Sequence, residues 1–230
     1  MFRFSFPKHW RDYLLENVAF YRQLNPDKQR KFERRIQAFL LDYQIQGVET
    51  TLTEYDKLLV AASGVIPVFG FDTWYYRDLE YIYIFPDAFT ITNPMFPDEV
   101  EMNGLVGYGG MANKMYLSLK ALRKSFMSDN TGQNTGMHEF LHLMDMEDGE
   151  ADGVPETVLK RSYVKPWIEL IQTEIQRVCD DDSILGDYAC ENAAEFFAES
   201  GVAFFEKPKE MEEKHPELYR MLSEIFLQRP

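Results

Sequence analysis

Apolar positions recur at helical spacing early in the chain, switch to alternation in the middle, and return to helical spacing in the last third. Over residues 10–69 the pattern is mainly helical. Lys28, Arg30, Lys31, Arg34 and Arg35 are interleaved with Phe32, Ile36, Phe39 and Tyr43, which reads as an amphipathic helix with a solvated basic face. Asn25-Pro26-Asp27 is a helix start, and Thr53 with Glu54 opens another helix toward Ala61 and Ala62. Over residues 79–119 the signal is β: LEYIYIF is aromatic and β-branched, KMYLSL alternates, and Pro94, Pro97 and several glycines mark turns. From Asn134 onward helices return, with breaks over residues 149–155 and 180–187 and around Pro208 and Pro216. The prediction is an α+β fold with a small antiparallel or mixed sheet. A helical part, residues 1–70, precedes a catalytic part, residues 71–230, unless the whole is one compact domain.

Composition narrows the function classes. A chain of 230 residues with 45% hydrophobic and 15% aromatic content can bury a sizeable core. A formal net charge of −14 opposes the phosphate contacts that dominate nucleic-acid binding, and opposes an anionic membrane surface as well. Cys179 and Cys190 make no disulfide framework in a chain of this length, so reduced thiols are expected. The first residues interrupt their aromatics with Arg3, Lys8, Arg11 and Asp12, unlike a signal peptide. The longest apolar region, residues 58–71, is too short for a bilayer span and contains Gly64, Pro67 and Gly70. These features predict a cytoplasmic protein with neither nucleic-acid nor membrane partner. The glycines of GLVGYGG, from Gly104, fit neither GxGxxG nor GxxxxGK[ST] and are expected in turns or bulges.

The chemistry is carried by His138-Glu139-Phe140-Leu141-His142, an HExxH match in a helix-favouring segment. Two of only 4 histidines fall in this one motif. Residues i and i+4 share a helix face, so both imidazoles can reach one metal, and Glu139 projects beside it. Zn²⁺ suits neutral imidazole and lowers the pKa of a coordinated water toward ~7, where a carboxylate can take its proton. Those properties suit amide hydrolysis.

Catalytic zinc usually takes three protein ligands. His9 and His215 lie near the termini in amphipathic segments and are expected on the surface. Glu191, Glu195 and Glu199 form one helical stripe against Phe196, Phe197 and Phe204. Periodicity does not say which of them, if any, faces a metal rather than solvent. Asp145, three residues after His142, is either an acceptor for an imidazole N–H or a helix cap. The run Asp145, Glu147, Asp148, Glu150, Asp152 lacks EF-hand ligand order and reads as a solvated acidic loop.

At these residues the chain resembles the Mlc titration factor family of zinc metallopeptidases, zincin-like and similar to the catalytic domain of anthrax lethal factor. The resemblance runs through IPVFGFDTWYYRDLEYIYIFPDAF, MHEFLHLMDMEDGEADGVP, DYACENAAEFFAES and FFEKPKEMEEKHPELY. It implies Glu195 as third metal ligand and Tyr188 as an active-site tyrosine able to donate to a developing oxyanion. It also implies peptide substrates with an aminopeptidase preference, and as an alternative role the sequestering of a transcriptional repressor of sugar uptake. Leu141 stands where a small residue is expected, and Gly201-Val202 where the family often has Ser-Glu. By analogy with zincin-like folds, residues 114–119 are expected to form an edge strand that pairs with extended substrate, with Ser118 facing outward.

Overall fold

The computed structural model describes residues 5–90, 101–107, 113–127, 132–180 and 183–230. Pro94, Pro97, Asp181, Asp182 and the part of the glycine segment from Tyr108 to Gly110 lie outside them. The chain forms two compact units, residues 1–65 with 79–129 and residues 66–78 with 130–230. The strands group with the N-terminal helices in the first of these.

In the first unit, helices α1 (Lys8–Asn17), α2 (Ala19–Gln23) and α3 (Pro26–Asp42) come first. Asn25 caps α3 by accepting from the Lys28 N–H, and Pro26 occupies the first turn, where its missing N–H costs nothing. The basic face of α3 is outward, while Phe32, Ile36 and Phe39 are buried. Glu33 is buried as well, held by both Arg11 nitrogens (2.7 and 2.9 Å) and by the Tyr21 hydroxyl at 2.7 Å.

Strand β1 (Gln44–Gly47) follows, within the stretch expected to be helical. At four residues it is too short for a periodic signal of its own. Helix α4 (Glu54–Val68) begins where Thr53 and Asp56 bond reciprocally. Strands β2 (Leu79–Phe85), β3 (Gly104–Val106) and β4 (Asn113–Ser118) complete a mixed sheet of order β1-β2-β4-β3. β1 and β4 run parallel to β2, and β3 runs antiparallel to β4. Alternation puts Leu79, Ile82, Ile84, Met115 and Leu117 in the core, and half-buried Tyr81, Tyr83 and Tyr116 in a stacked row on the other face.

Two expectations are overturned here. Residues 114–119 are not an edge, because β4 is paired on both sides, and the outer strands of the sheet are β1 and β3. Ser118 does not face outward. It is fully buried, and its hydroxyl caps helix α5 (Leu119–Ser125) by accepting from the Ala121 N–H. Of the GLVGYGG segment, Gly104 lies within β3 rather than in a turn.

The second unit is helical: α6 (Thr135–Asp145), a 3-10 turn (Met146–Asp148), α7 (Arg161–Cys179), a 3-10 turn (Asp187–Cys190), α8 (Ala193–Glu206), α9 (Pro208–Lys214) and α10 (Pro216–Phe226). Phe197, Phe204 and Phe226 pack ring on ring with centroids 5.5 to 6.0 Å apart. Cys179 and Cys190 are joined as a disulfide, Cα–Cα 5.5 Å, in place of the reduced thiols expected. Spacing in sequence gave no hint that the end of α7 returns to the turn before α8. His215 is also not on the surface: it is 1% exposed, bonded to Glu174 at 2.6 Å and to the Ser183 hydroxyl at 3.2 Å. No helix among the described residues is long and apolar enough to cross a membrane.

Helices α6 and α8 pack tightly at Gly201, where an added Cβ would lie 2.7 Å from Leu141 Cδ1. The two positions expected from the resemblance to depart from the family pattern thus meet across one helix pair. Gly201→Ala is expected to destabilise by about 1–3 kcal/mol through overpacking, although Ala is the better helix former. In a Leu141→Ala background the same change should be neutral or stabilising, and a double-mutant cycle in urea reads the coupling. Additive losses would show that the two positions do not meet.

Candidate metal centre

Two helix caps set the phase of the helices that carry the candidate residues. Asn134 caps α6 through the Met137 N–H, and Asn192 caps α8 through the Glu195 N–H. The Glu206 carboxylate, at the end of α8, accepts from Gly132 N (2.8 Å), Gln133 N (3.2 Å) and Asn134 Nδ2 (3.2 Å), which ties it to the start of α6. At the other end Gly153 touches the Ala193 carbonyl and donates its N–H to Asp145 Oδ2 at 2.9 Å. The two helices are therefore antiparallel and locked at both ends.

That register brings His138, His142 and Glu195 together. The two Nε2 atoms are 3.0 Å apart, and Glu195 Oε2 lies 3.1 Å from His138 Nε2 and 3.4 Å from His142 Nε2. The three atoms form a nearly equilateral triangle. Ligands at about 2.0–2.1 Å around a tetrahedral ion sit roughly 3.3 Å from one another, so the donor set has the spacing of three of four tetrahedral positions. Glu195 Oε2 is buried and receives no hydrogen bond, an orphaned lone pair of the kind a cation satisfies. These are the residues among those described that can hold a metal ion.

Electrostatics agree. Burial opposes ionisation of Glu195, but the imidazoles of His138 and His142 beside it overcome that and pull the carboxyl down to about 2. Burial likewise opposes charging His138, and the adjacent carboxylates of Glu195 and Glu199 reverse that, pushing the imidazole up to about 10. The cluster stabilises positive charge at its centre. Glu139 is 7% exposed, and burial raises its carboxyl above the ordinary range, with the charges of His138 and His142 opposing. Tyr188, in the turn before α8, is 52% exposed, and its ring centroid is 6.2 Å from that of His138.

The remaining carboxylates fall differently from expectation. Glu191 precedes α8 and is exposed, whereas Glu199 points into the cluster and reaches His138 Nδ1 at 3.0 Å. The i+4 spacing from Glu195 was the available signal, and solvent was an equally good reading of it. Asp145 meets no imidazole; it binds the Gly153 N–H and is fully buried. Asp148 and Asp152 are exposed as expected but spend their oxygens on loop N–H groups of Glu150, Glu156 and Val154.

Burial pushes Asp145 up to about 7, with the Gly153 N–H working against it. Unfolded, the group titrates near 3.9, so between roughly pH 4 and 7 the folded chain keeps a proton that the unfolded chain releases. Its contribution favours the fold at acid pH and is lost as pH rises through 7, at no more than about 1.4 kcal/mol per pH unit. In chelator-stripped protein, Asp145→Asn should flatten the fall in stability between pH 5 and pH 7.5, measured by urea unfolding. An unchanged slope would assign the pH dependence elsewhere.

The family model of the glucose-regulated metallo-peptidase M90 matches residues 2–227. The chain belongs to this family. An uncharacterized protein of Synechocystis sp., slr2042, is 30% identical over 241 residues, covering 100% of this chain and 87% of that one. Mlc titration factor A of Pectobacterium atrosepticum is 25% identical, covering 97% and 87%, and that of Yersinia enterocolitica 26% identical, covering 96% and 85%. M90 membership agrees with the α+β, zincin-like architecture and with a His-His-Glu metal centre.

Proposed function

We propose that this M90 chain is a zinc-dependent peptidase in which His138, His142 and Glu195 hold the metal, Glu139 is the general base and Tyr188 steadies the oxyanion. The observation that carries the reading is the triangle of Nε2, Nε2 and Oε2 atoms with an orphaned, buried carboxylate oxygen at one corner. Two imidazoles and one carboxylate are a donor set suited to zinc, with a fourth position left for the reaction. When bound, zinc supplies Lewis acidity toward the scissile carbonyl and the attacking water. Glu139 takes the water's proton onto its carboxylate and returns it to the leaving amine; burial makes it a stronger proton acceptor than a solvated carboxylate. Tyr188 Oη donates to the carbonyl oxygen as charge builds there. Burial and the neighbouring carboxylates raise this phenol above its ordinary value, which keeps the donated proton in place.

The resemblance favours short peptides, and a net charge of −14 favours substrates with a free, protonated amino terminus. A cytoplasmic location belongs to the same proposal, and the Cys179–Cys190 disulfide speaks against it, since such bonds are rare in reducing compartments. A second reading is supported by the relatives named Mlc titration factor A: the chain binds a transcriptional repressor, and hydrolysis is incidental to that role.

Metal analysis of the purified protein, paired with aminoacyl chromogenic substrates with and without chelator, tests the enzyme. The expected result is about one zinc per chain and chelator-sensitive cleavage. Full activity in metal-free protein would overturn the site. Zinc without cleavage of any peptide would favour the binding role. Equal cleavage of free and N-acetylated substrates would remove the aminopeptidase preference.

A further inference from the structure

The two imidazoles of the cluster are not equivalent. Both present Nε2 to the point where Glu195 Oε2 also arrives, but His138 alone has a carboxylate behind it among the contacts seen. Its Nδ1 lies 3.0 Å from Glu199 Oε1, on the side of the ring away from the triangle. Glu199 follows Glu195 by one turn of α8, so the two share a helix face, and the antiparallel lock of α6 and α8 sets both against His138. Glu199 is not one of the three residues whose ligand atoms converge. Its side chain and that of His138 are 20% and 13% exposed, sheltered enough for a charge-assisted hydrogen bond to hold geometry rather than to flicker.

Resting on the metal-centre reading above, we infer that Glu199 is a positioning residue: it accepts the His138 Nδ1–H and so fixes the tautomer and ring angle that turn the Nε2 lone pair toward the metal. An imidazole with no partner at Nδ1 can place its proton on either nitrogen and can rotate about χ2, and both freedoms reduce the share of the ring poised to bind. The Glu199 hydrogen bond removes both. Glu199 reaches His138 and not His142 among the contacts seen, so the effect of losing Glu199 falls on one ligand of three.

Zinc affinity by competition with a chromophoric chelator tests this on the full chain, together with the visible spectrum of the Co²⁺ form. Glu199→Leu removes the acceptor and should weaken zinc binding about 10- to 100-fold and alter the Co²⁺ bands. Glu199→Gln keeps an acceptor oxygen and should stay within a few-fold of wild type. Unfolding of the metal-free variants checks that folding is intact, and a variant that merely loses packing would shift the melting temperature without moving the Co²⁺ spectrum. Wild-type affinity in Glu199→Leu, or equal weakening in Leu and Gln, would overturn the assignment, the second by reducing Glu199 to a bare charge. A wild-type chain that takes up neither zinc nor Co²⁺ would overturn the metal centre itself, and the inference with it.

Discussion

Glu139→Gln is expected to keep a full complement of metal while lowering kcat by ~10² or more. The amide matches the carboxylate in size and hydrogen-bonding reach but cannot accept a proton. Glu139 is not among the three converging ligand residues, so metal content is not expected to follow the substitution. Its carboxyl is buried beside two imidazoles, where its loss of charge is felt by both, and a modest change in metal affinity is compatible with the role. Metal content by atomic absorption and single-turnover kinetics separate the outcomes. A variant that loses its metal would make Glu139 a ligand or a structural group, and one that turns over normally would remove the base.

Gly153→Ala is expected to cost about 3 kcal/mol or more, the larger of the stability effects in this chain. The residue has φ +76°, where a side chain is strained, and its Cβ would stand 2.2 Å from the Ala193 carbonyl oxygen. That neighbour is backbone at the first residue of α8, and it cannot swing away as a side chain can. The same glycine donates its N–H to Asp145 and accepts from Trp167 Nε1 at 2.8 Å, so α6, α7 and α8 meet at one residue. Gly149→Ala is the control: φ is +102°, yet nothing lies within 4 Å of the added carbon, and only the conformational cost of about 1 kcal/mol should appear. Urea unfolding distinguishes them, and similar losses in both would mean that the Ala193 contact relaxes freely.

Much of this was legible in the sequence, and the reasons can be named. Asn25-Pro26 and the aromatic, β-branched run LEYIYIF announce an element by local chemistry alone, and α3 and β2 are found there. Glu195 became a candidate because it lies in a stripe, but only the family resemblance singled it out, since helical period does not say what a stripe faces. The missed features are all meetings of distant residues. The Cys179–Cys190 pair, the burial of His215 against Glu174 and Ser183, and the place of β4 inside the sheet depend on where chain segments return, and no local pattern encodes that. The edge-strand expectation failed for this reason: β3 comes earlier in the chain, yet it adds to the far side of β4.

The contact between Leu141 and Gly201 bears on how this protein can be recombined with its relatives. A chimera that imports only the HExxH helix of a relative with a small residue at position 141 would leave a void beneath Gly201, about the size of the missing leucine branches. Importing only an α8 segment that has a larger residue at 201 would drive that side chain into Leu141. Neither exchange alters a candidate metal ligand, yet each would shift the spacing between the helix that bears two of them and the helix that bears the third. The transplantable unit is therefore the helix pair, and donor libraries for this family should be cut outside residues 135–206 rather than between them.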